Sequence, residues 1–293
     1  MSTVAKKENL VSHITGAMKR YANFESKFVE PRNVDIWFPP SYGESSAKRY
    51  PVLYMHDGQS LFEPGHSFTN QEWQVDEMMT KLIGENRTRQ AIVVGIWNTE
   101  KRFREYQPYK PFQDLTAAEK IIRKDLDRVY GGGALGDCYL RFIVDELKPF
   151  VDGKFRTLSN RQHTFMMGSS MGGIISIYAI AEYPDLFGGV ACLSTHYPIV
   201  LQDKPDVPPI LIRYLKSHLP RAGSHRIYFD YGTETHDAWY EPHQMHMDTV
   251  MEEIGYTRGV DWVTRKFQGA EHSEIAWRQR LDIPLTFLLG SNL

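Results

Sequence analysis

Short apolar runs, rich in β-branched and aromatic residues, alternate along this 293-residue chain with stretches of helical periodicity. Such alternation is typical of a mostly parallel sheet covered by helices. Two runs, residues 24–29 and 33–38, flank a short turn and predict an antiparallel pair at the sheet edge. We therefore expect an α/β fold with a mostly parallel central sheet of about eight strands. The other predicted strands are residues 52–55, 91–97, 164–167, 189–193, 226–231 and 262–267.

Four stretches show the three- and four-residue spacing of apolar side chains that predicts helices: residues 137–151, 172–183, 239–254 and 272–289. Asp137, just after a glycine, is the expected cap of the first. No linker or repeat interrupts the chain, so we expect one domain over residues 1–293. Residues 99–136 are too long for an ordinary connection and form a candidate substrate-facing insertion. A surface excursion packed by its own aromatic residues is the alternative.

The most specific motif is the G-S-S-M-G sequence at residues 168–172, which lies between a predicted strand and a predicted helix. In a G-x-S-x-G motif in this context, the middle serine occupies a strained elbow and the flanking glycines relieve crowding. Ser170 is therefore the predicted nucleophile, at a helix N-terminus that favours developing negative charge. Ser169 occupies the wrong position in the elbow, and we expect it to be structural.

A serine hydroxyl needs a histidine to take its proton and a carboxylate to orient that histidine. In this kind of fold the acid follows the nucleophile and the histidine comes last. His272 lies just past the last predicted strand, so it is the predicted general base. The acid should follow the strand at residues 226–231, and we choose Asp237. Glu234, in the same loop, is the alternative acid.

Acyl transfer also needs two N–H donors aimed at the oxyanion. One should be the backbone N–H of Met171, the residue after the nucleophile. The second should come from the turn after the strand at residues 52–55, where Gly58 permits a close approach and the N–H of Gln59 can point inward. Ser60 is the next candidate. The preceding His56 and Asp57 are expected to hold this loop by hydrogen bonds.

Composition narrows the classes of partner. The formal net charge is only -2, which disfavours nucleic acid and anionic membranes as partners. Because no export signal or membrane-spanning run is visible, we expect a cytoplasmic protein. Cys138 and Cys192 match no metal-ligand spacing, and the cluster of His236, His243 and His246 contains no H-E-x-x-H. We therefore expect neither a metal nor another cofactor, and no feature defines an oligomeric state.

Nearly the whole chain resembles the esterase D-like family of α/β-hydrolases. The resemblance rests on these residues together with segments 34–40, 54–59 and 269–272. This family includes feruloyl and acetyl-xylan esterases, S-formylglutathione hydrolase and siderophore esterases. The resemblance implies an α/β-hydrolase fold, with Ser170 as nucleophile and His272 as base. Many members carry an aspartate where this chain has Thr235, a departure that leaves the choice of acid within residues 232–237 open.

The resemblance also suggests that Trp97 and Asn98 border the substrate pocket and that His196 lines it; packing at a strand end is the alternative for each. Trp239 and the aromatic insertion suit an aromatic, feruloyl-like ester or a carbohydrate-linked one. The predicted function is hydrolysis of such carboxylic esters through an acyl-enzyme at Ser170. An acyltransferase would use the same residues, and a catalytically silent binding module is the non-enzymatic alternative.

Overall fold

The computed structural model describes residues 8–10, 14–67, 69–202 and 204–290. Within them a nine-stranded sheet has the strand order β1-β2-β3-β5-β4-β6-β7-β8-β9. The strands are β1 (Glu8–Leu10), β2 (Ala17–Phe24), β3 (Arg32–Phe38), β4 (Val52–His56), β5 (Ile92–Ile96), β6 (Thr164–Ser169), β7 (Gly189–Leu193), β8 (Arg226–Tyr231) and β9 (Trp262–Lys266).

The sheet is antiparallel at one edge and parallel over the rest. The first three strands and β5 pair antiparallel in the order β1-β2-β3-β5, whereas β5, β4, β6, β7, β8 and β9 pair parallel. This confirms the expected mostly parallel α/β sheet. Because β4, β6, β7 and β8 are neighbours, the loops that follow them meet at the same edge of the sheet.

Helices cover both faces of the sheet. Alternate residues of β4 show this: Val52 and Tyr54 belong to one buried apolar cluster, and Leu53 and Met55 to the other. Strands buried on both faces are typical of parallel sheets between helix layers. The helices are α1 (Val75–Gly84), α2 (Arg102–Glu105), α3 (Ala117–Val129), α4 (Gly136–Arg141), α5 (Lys148–Lys154), α6 (Met171–Glu182), α7 (Val207–His218), α8 (Tyr240–Glu253), α9 (Glu274–Gln279) and α10 (Asp282–Leu289).

The predicted strand at residues 24–29 is wrong. The strand that precedes β3 and pairs with it is β2, which ends at Phe24 and buries Met18, Tyr21 and Phe24 against the core. Beyond it the chain turns, because the Ser26 hydroxyl accepts the backbone N–H groups of Phe28 at 3.0 Å and Val29 at 3.3 Å. A backbone donor held by a local side chain cannot join a strand ladder.

Two predicted helices are interrupted in the structure. Helix α4 begins at Gly136, and a π-helical turn at Phe142–Leu147 separates it from α5. Asp137 is therefore not a cap. Its carboxylate accepts a hydrogen bond from the Tyr178 hydroxyl at 2.6 Å. The expected helix 272–289 is two helices, α9 and α10, and α9 is capped by the Ser273 hydroxyl.

Residues 99–136 contain α2, a 3-10 turn at Lys110–Phe112 and α3. Helix α3 starts with a capping box in which Thr116 and Glu119 satisfy each other's backbone N–H groups. Most of its side chains are partly or fully exposed, and Leu126 packs into the core. The segment thus presents a helix at the surface next to the edge where the strands end.

Candidate active site

Ser170 occupies the sharp turn between β6 and α6. Its backbone has φ 58° and ψ −123°, outside the regions that non-glycine residues normally adopt. The turn is held because the Ser170 N–H donates to the Leu193 carbonyl at 2.9 Å, and the Ser170 carbonyl accepts from Gly173 at 3.0 Å. A strained serine held from both sides of the turn is the geometry of a nucleophile elbow.

The first glycine of the motif, Gly168, is needed for space. A Cβ on Gly168 would lie 2.9 Å from the Gly172 carbonyl carbon, so no larger residue fits there without moving the backbone. Ser169, the last residue of β6, is buried, whereas Ser170 is partly exposed. Of the two adjacent hydroxyls, the structure therefore places Ser170 where a substrate can reach it.

His272 is paired with Asp237. Its Nδ1 lies 2.6 Å from Asp237 Oδ1. The second oxygen, Oδ2, accepts the Gly232 N–H at 2.5 Å and the Ser194 hydroxyl at 2.6 Å. Burial raises the pKa of Asp237, but the hydrogen bond and charge of His272 and these two donors outweigh it, and the pKa is lowered overall. Asp237 is therefore a buried carboxylate that keeps its charge.

The side chain of the other candidate acid, Glu234, is not hydrogen-bonded to His272 within the described residues. Glu234 is exposed, and its backbone N–H donates to the Ala270 carbonyl at 3.0 Å. The His272 N–H also donates to the Thr235 hydroxyl at 2.8 Å. These two hydrogen bonds hold the loop that carries the acid against the loop that carries the histidine. Of the two carboxylates left open by the sequence, the structure joins Asp237 to the histidine.

A buried network that sequence reasoning missed stands behind Asp237. Ser194 Oγ, which donates to Asp237, accepts from Trp277 Nε1 and from Arg280 Nη2, each at 2.9 Å. Arg280 Nη2 also donates to Asp230 Oδ1 at 2.9 Å. The available sequence signal is weak: Trp277 and Arg280 are three residues apart and so lie on one side of the chain's helical path. Nothing in the sequence shows which hydroxyl they meet.

The loop after β4 lies beside the elbow because β4 and β6 are neighbours. Gly58 is required there, since a Cβ would lie 2.6 Å from the Gly95 carbonyl carbon. Gln59 is fixed through its side-chain oxygen, which accepts the Asn98 N–H at 3.1 Å. Within the described part of the chain, neither the Gln59 N–H nor the Met171 N–H donates a hydrogen bond to another protein group. Both predicted oxyanion donors are thus unused.

A half-buried ion pair supports this loop. Arg102 Nε and Nη2 each donate to one oxygen of Asp57 at 2.7 Å, and Asn98 Nδ2 donates to Asp57 Oδ1 at 2.6 Å. Burial raises the pKa of Asp57, but Arg102 and Asn98 lower it by more, so the net shift is downward. Next to it, His56 Nδ1 lies 2.8 Å from the Tyr139 hydroxyl, and burial lowers the His56 pKa to about 3. His56 and Asp57 thus act as the loop's anchors.

His196, predicted to bind substrate, lies close to both Ser170 and His272. Its N–H donates to the Ser170 carbonyl at 3.2 Å, and its ring centre is 6.3 Å from that of His272. Nε2 lies 2.9 Å from the Val200 carbonyl, which can only accept, so Nε2 carries the proton and Nδ1 accepts from the Tyr240 hydroxyl at 2.5 Å. Burial, with the nearby His272, lowers its pKa to about 3. Both ring nitrogens are therefore used by the protein.

The other predicted substrate-binding residues have protein partners as well. Trp97 Nε1 donates to Asp35 at 2.7 Å, and the Arg20 guanidinium lies 4.8 Å from the centre of the Trp97 ring. Asn98 uses both its backbone and its amide to hold the β4 loop. Trp239 packs edge-on against His236, 5.1 Å between ring centres. The Trp239 side chain is partly exposed and lies close to His236.

Two further observations concern the part of the chain that the structure describes. It contains no group of three or more histidine, cysteine, aspartate or glutamate side chains placed to hold a metal ion. None of its helices is long and apolar enough to cross a membrane.

A serine at a strand-to-helix elbow, an acid after a later strand and a histidine after the last strand define an α/β-hydrolase. The chain belongs to the family described as "Putative esterase", whose model matches residues 26–287. The resemblance to esterase D-like α/β-hydrolases is thereby confirmed. A ferulic acid esterase structure superposes with a TM-score of 0.64 at 18% identity, covering 94% of this chain and 98% of that one. At this identity the likeness shows the fold.

Curated relatives match over shorter stretches. The uncharacterized protein YbbA of Bacillus subtilis (strain 168) is 30% identical over 166 residues, which is 57% of each chain. The endo-1,4-beta-xylanase/feruloyl esterase of Xylanibacter ruminicola is 25% identical over 190 residues, 62% of this chain and 22% of that protein. The matches thus span less than two thirds of these relatives' own lengths.

Proposed function

We propose that this protein is a serine hydrolase of carboxylic esters that works through an acyl-enzyme at Ser170. The observation that carries the proposal is the 2.6 Å contact between His272 and the buried, charged Asp237, on the same sheet edge as a strained serine elbow. A carboxylate held this way keeps the proton on Nδ1 of His272 and leaves Nε2 to act as the base. Membership of an esterase family supports the same conclusion.

In the proposed reaction, His272 Nε2 takes the proton of Ser170 as Oγ attacks the ester carbonyl carbon. The carbonyl oxygen becomes an oxyanion, which the N–H groups of Met171 and Gln59 stabilise. His272 then gives the proton to the leaving alcohol, and the carbon–oxygen bond of the ester breaks. Water attacks the acyl-enzyme by the same route, which releases the acid and regenerates Ser170.

For the substrate we propose an aromatic, feruloyl-like ester or a carbohydrate-linked ester. Trp239 and the rings around His272 support an aromatic group near the reacting carbonyl, because flat rings pack well against aromatic side chains. Relatives named as a feruloyl esterase and as the ferri-bacillibactin esterase BesA of Bacillus subtilis (strain 168) are consistent with this. Transfer of the acyl group to an acceptor other than water would use the same residues.

The test combines covalent labelling with turnover. A fluorophosphonate probe should label Ser170 of the wild-type protein, and p-nitrophenyl acetate should be hydrolysed. Ser170→Ala should abolish both signals, whereas Ser169→Ala, which changes the neighbouring hydroxyl, should keep both. A folded wild-type protein that neither reacts with the probe nor cleaves the ester would favour a binding module instead.

A further inference from the structure

A groove of about 390 Å³ lies between α3 and the segment that follows His196. Its volume is within the range of small-molecule binding sites. Its apolar lining includes Leu126, Val129 and Tyr130 on one side and Val200, Leu201 and Val207 on the other. Neither the motif at residues 168–172 nor the His272–Asp237 pair includes any of these residues, so the groove is lined by residues outside the proposed catalytic set.

The groove has a buried base and exposed apolar walls. Leu126, Val200 and Val207 are buried, whereas Val129 is 56% exposed and Leu201 is 58% exposed. Single exposed apolar side chains are ordinary on a protein surface. Here two of them line the same concave site, so one apolar ligand would cover both and gain the hydrophobic free energy of their burial.

Hydrogen bonds connect the groove to the catalytic residues. The Val200 carbonyl accepts from His196 Nε2 at 2.9 Å, and the His196 N–H donates to the Ser170 carbonyl at 3.2 Å. On the other side, the Tyr130 hydroxyl donates to the Ile199 carbonyl at 2.6 Å. Ile199 has φ 65°, a conformation that is costly for a β-branched residue. Such strain is found mainly where a site fixes its backbone.

The charged side chains at the rim are already in ion pairs with one another. Asp125 lies 3.2 Å from Arg128 and 3.9 Å from Lys204, so a single carboxylate is shared by two cations. The lining between them is apolar. An uncharged apolar group is therefore the ligand chemistry that the groove fits.

From these observations we infer that the groove binds a bulky apolar arm of the ester substrate, next to the carbonyl that Ser170 attacks. This inference rests on the proposed esterase function and narrows it. An acetyl group is too small to reach both walls, so the groove makes the protein selective for esters with a large apolar acyl or alcohol group over acetates of small alcohols. Residues 99–136 would then contribute directly to substrate choice through α3.

The experiment compares methyl acetate with two bulky esters, methyl cinnamate and benzyl acetate, by titrating the released acid at constant pH. Val129→Asp and Leu201→Asp place a charge on opposite walls. Each should lower kcat/KM for at least one bulky ester by about tenfold, roughly the discrimination that a methylene-sized contact supplies, and leave methyl acetate within about twofold. Ile121→Asp is the matched control: Ile121 is 64% exposed on the same helix and does not line the groove.

Binding is measured separately from chemistry. Saturation-transfer NMR with methyl cinnamate and benzyl acetate on the Ser170→Ala variant should detect contact, and adding Val129→Asp should remove it. If binding depends on Val129 but the wild-type protein cleaves no ester, the proposed function fails and the groove remains a binding site. If both wall variants bind and cleave the bulky esters like the Ile121→Asp control, the groove inference is overturned.

Discussion

Replacing Asp237 with asparagine should reduce kcat by about 10⁴-fold, equivalent to about 5.5 kcal/mol. The structure gives the reason. Oδ2 of Asp237 accepts two donors, the Gly232 N–H and the Ser194 hydroxyl. An asparagine must place its amide oxygen at the position of Oδ2, because its NH₂ group is a donor and cannot accept these two hydrogen bonds. The NH₂ group then faces His272 Nδ1, which has to be unprotonated, so the proton sits on Nε2 and the base cannot accept the Ser170 proton.

The assay is the steady-state kcat for p-nitrophenyl acetate from pH 6 to 9, with the rate of fluorophosphonate labelling as a second measure. The loss should persist across this range, since the unproductive tautomer is itself neutral. Glu234→Gln is the matched control: it removes a similar charge from an exposed position in the same loop and should keep kcat within about twofold. An Asp237→Asn variant with more than a tenth of wild-type kcat would refute the reasoning.

Three further outcomes follow from the supporting contacts. Ser194→Ala removes one donor to Asp237 and one acceptor of Arg280. The free energy of unfolding in urea should therefore fall by about 1–3 kcal/mol, and kcat should fall at least tenfold. Arg102→Gln removes the cation of the half-buried Asp57 and should lower the free energy of unfolding by about 1–3 kcal/mol in the same measurement. The folded-state pKa of His56 is lowered to about 3, below its unfolded value, so the unfolded chain takes up the proton first and stability falls as pH drops from about 6.5 to 3. Urea unfolding at several pH values should show this loss, about 1.4 kcal/mol per pH unit from this one group, and His56→Gln should make the dependence shallower.

The sheet and the elbow were predictable because their signals are local. A run of β-forming residues followed by G-S-S-M-G and an apolar helical stretch needs no distant contact to be recognised, and the observed β6 and α6 differ from the predicted elements by one or two residues. The position of His272 after the last strand followed from the same pattern.

The errors and omissions have a different physical origin. Residues 24–29 looked like a strand by composition, but a single hydroxyl, Ser26, captures the backbone donors and turns the chain. The choice between Glu234 and Asp237 depends on how this loop folds against Ser194, which lies far away in sequence. The role of Arg280 could not be predicted, because its acceptors come from distant segments: Ser194 follows β7, and Asp230 lies in β8.

Arg280 also bears on how activity returns after denaturation. It joins the segment before α10 to the ends of β7 and β8, through Ser194 and Asp230. Contacts between such distant parts of a chain form late, because closing long loops costs entropy before any contact is gained. On refolding, esterase activity should therefore recover later than the helical circular-dichroism signal. The time course of activity would then report when the C-terminal helices pack against the sheet.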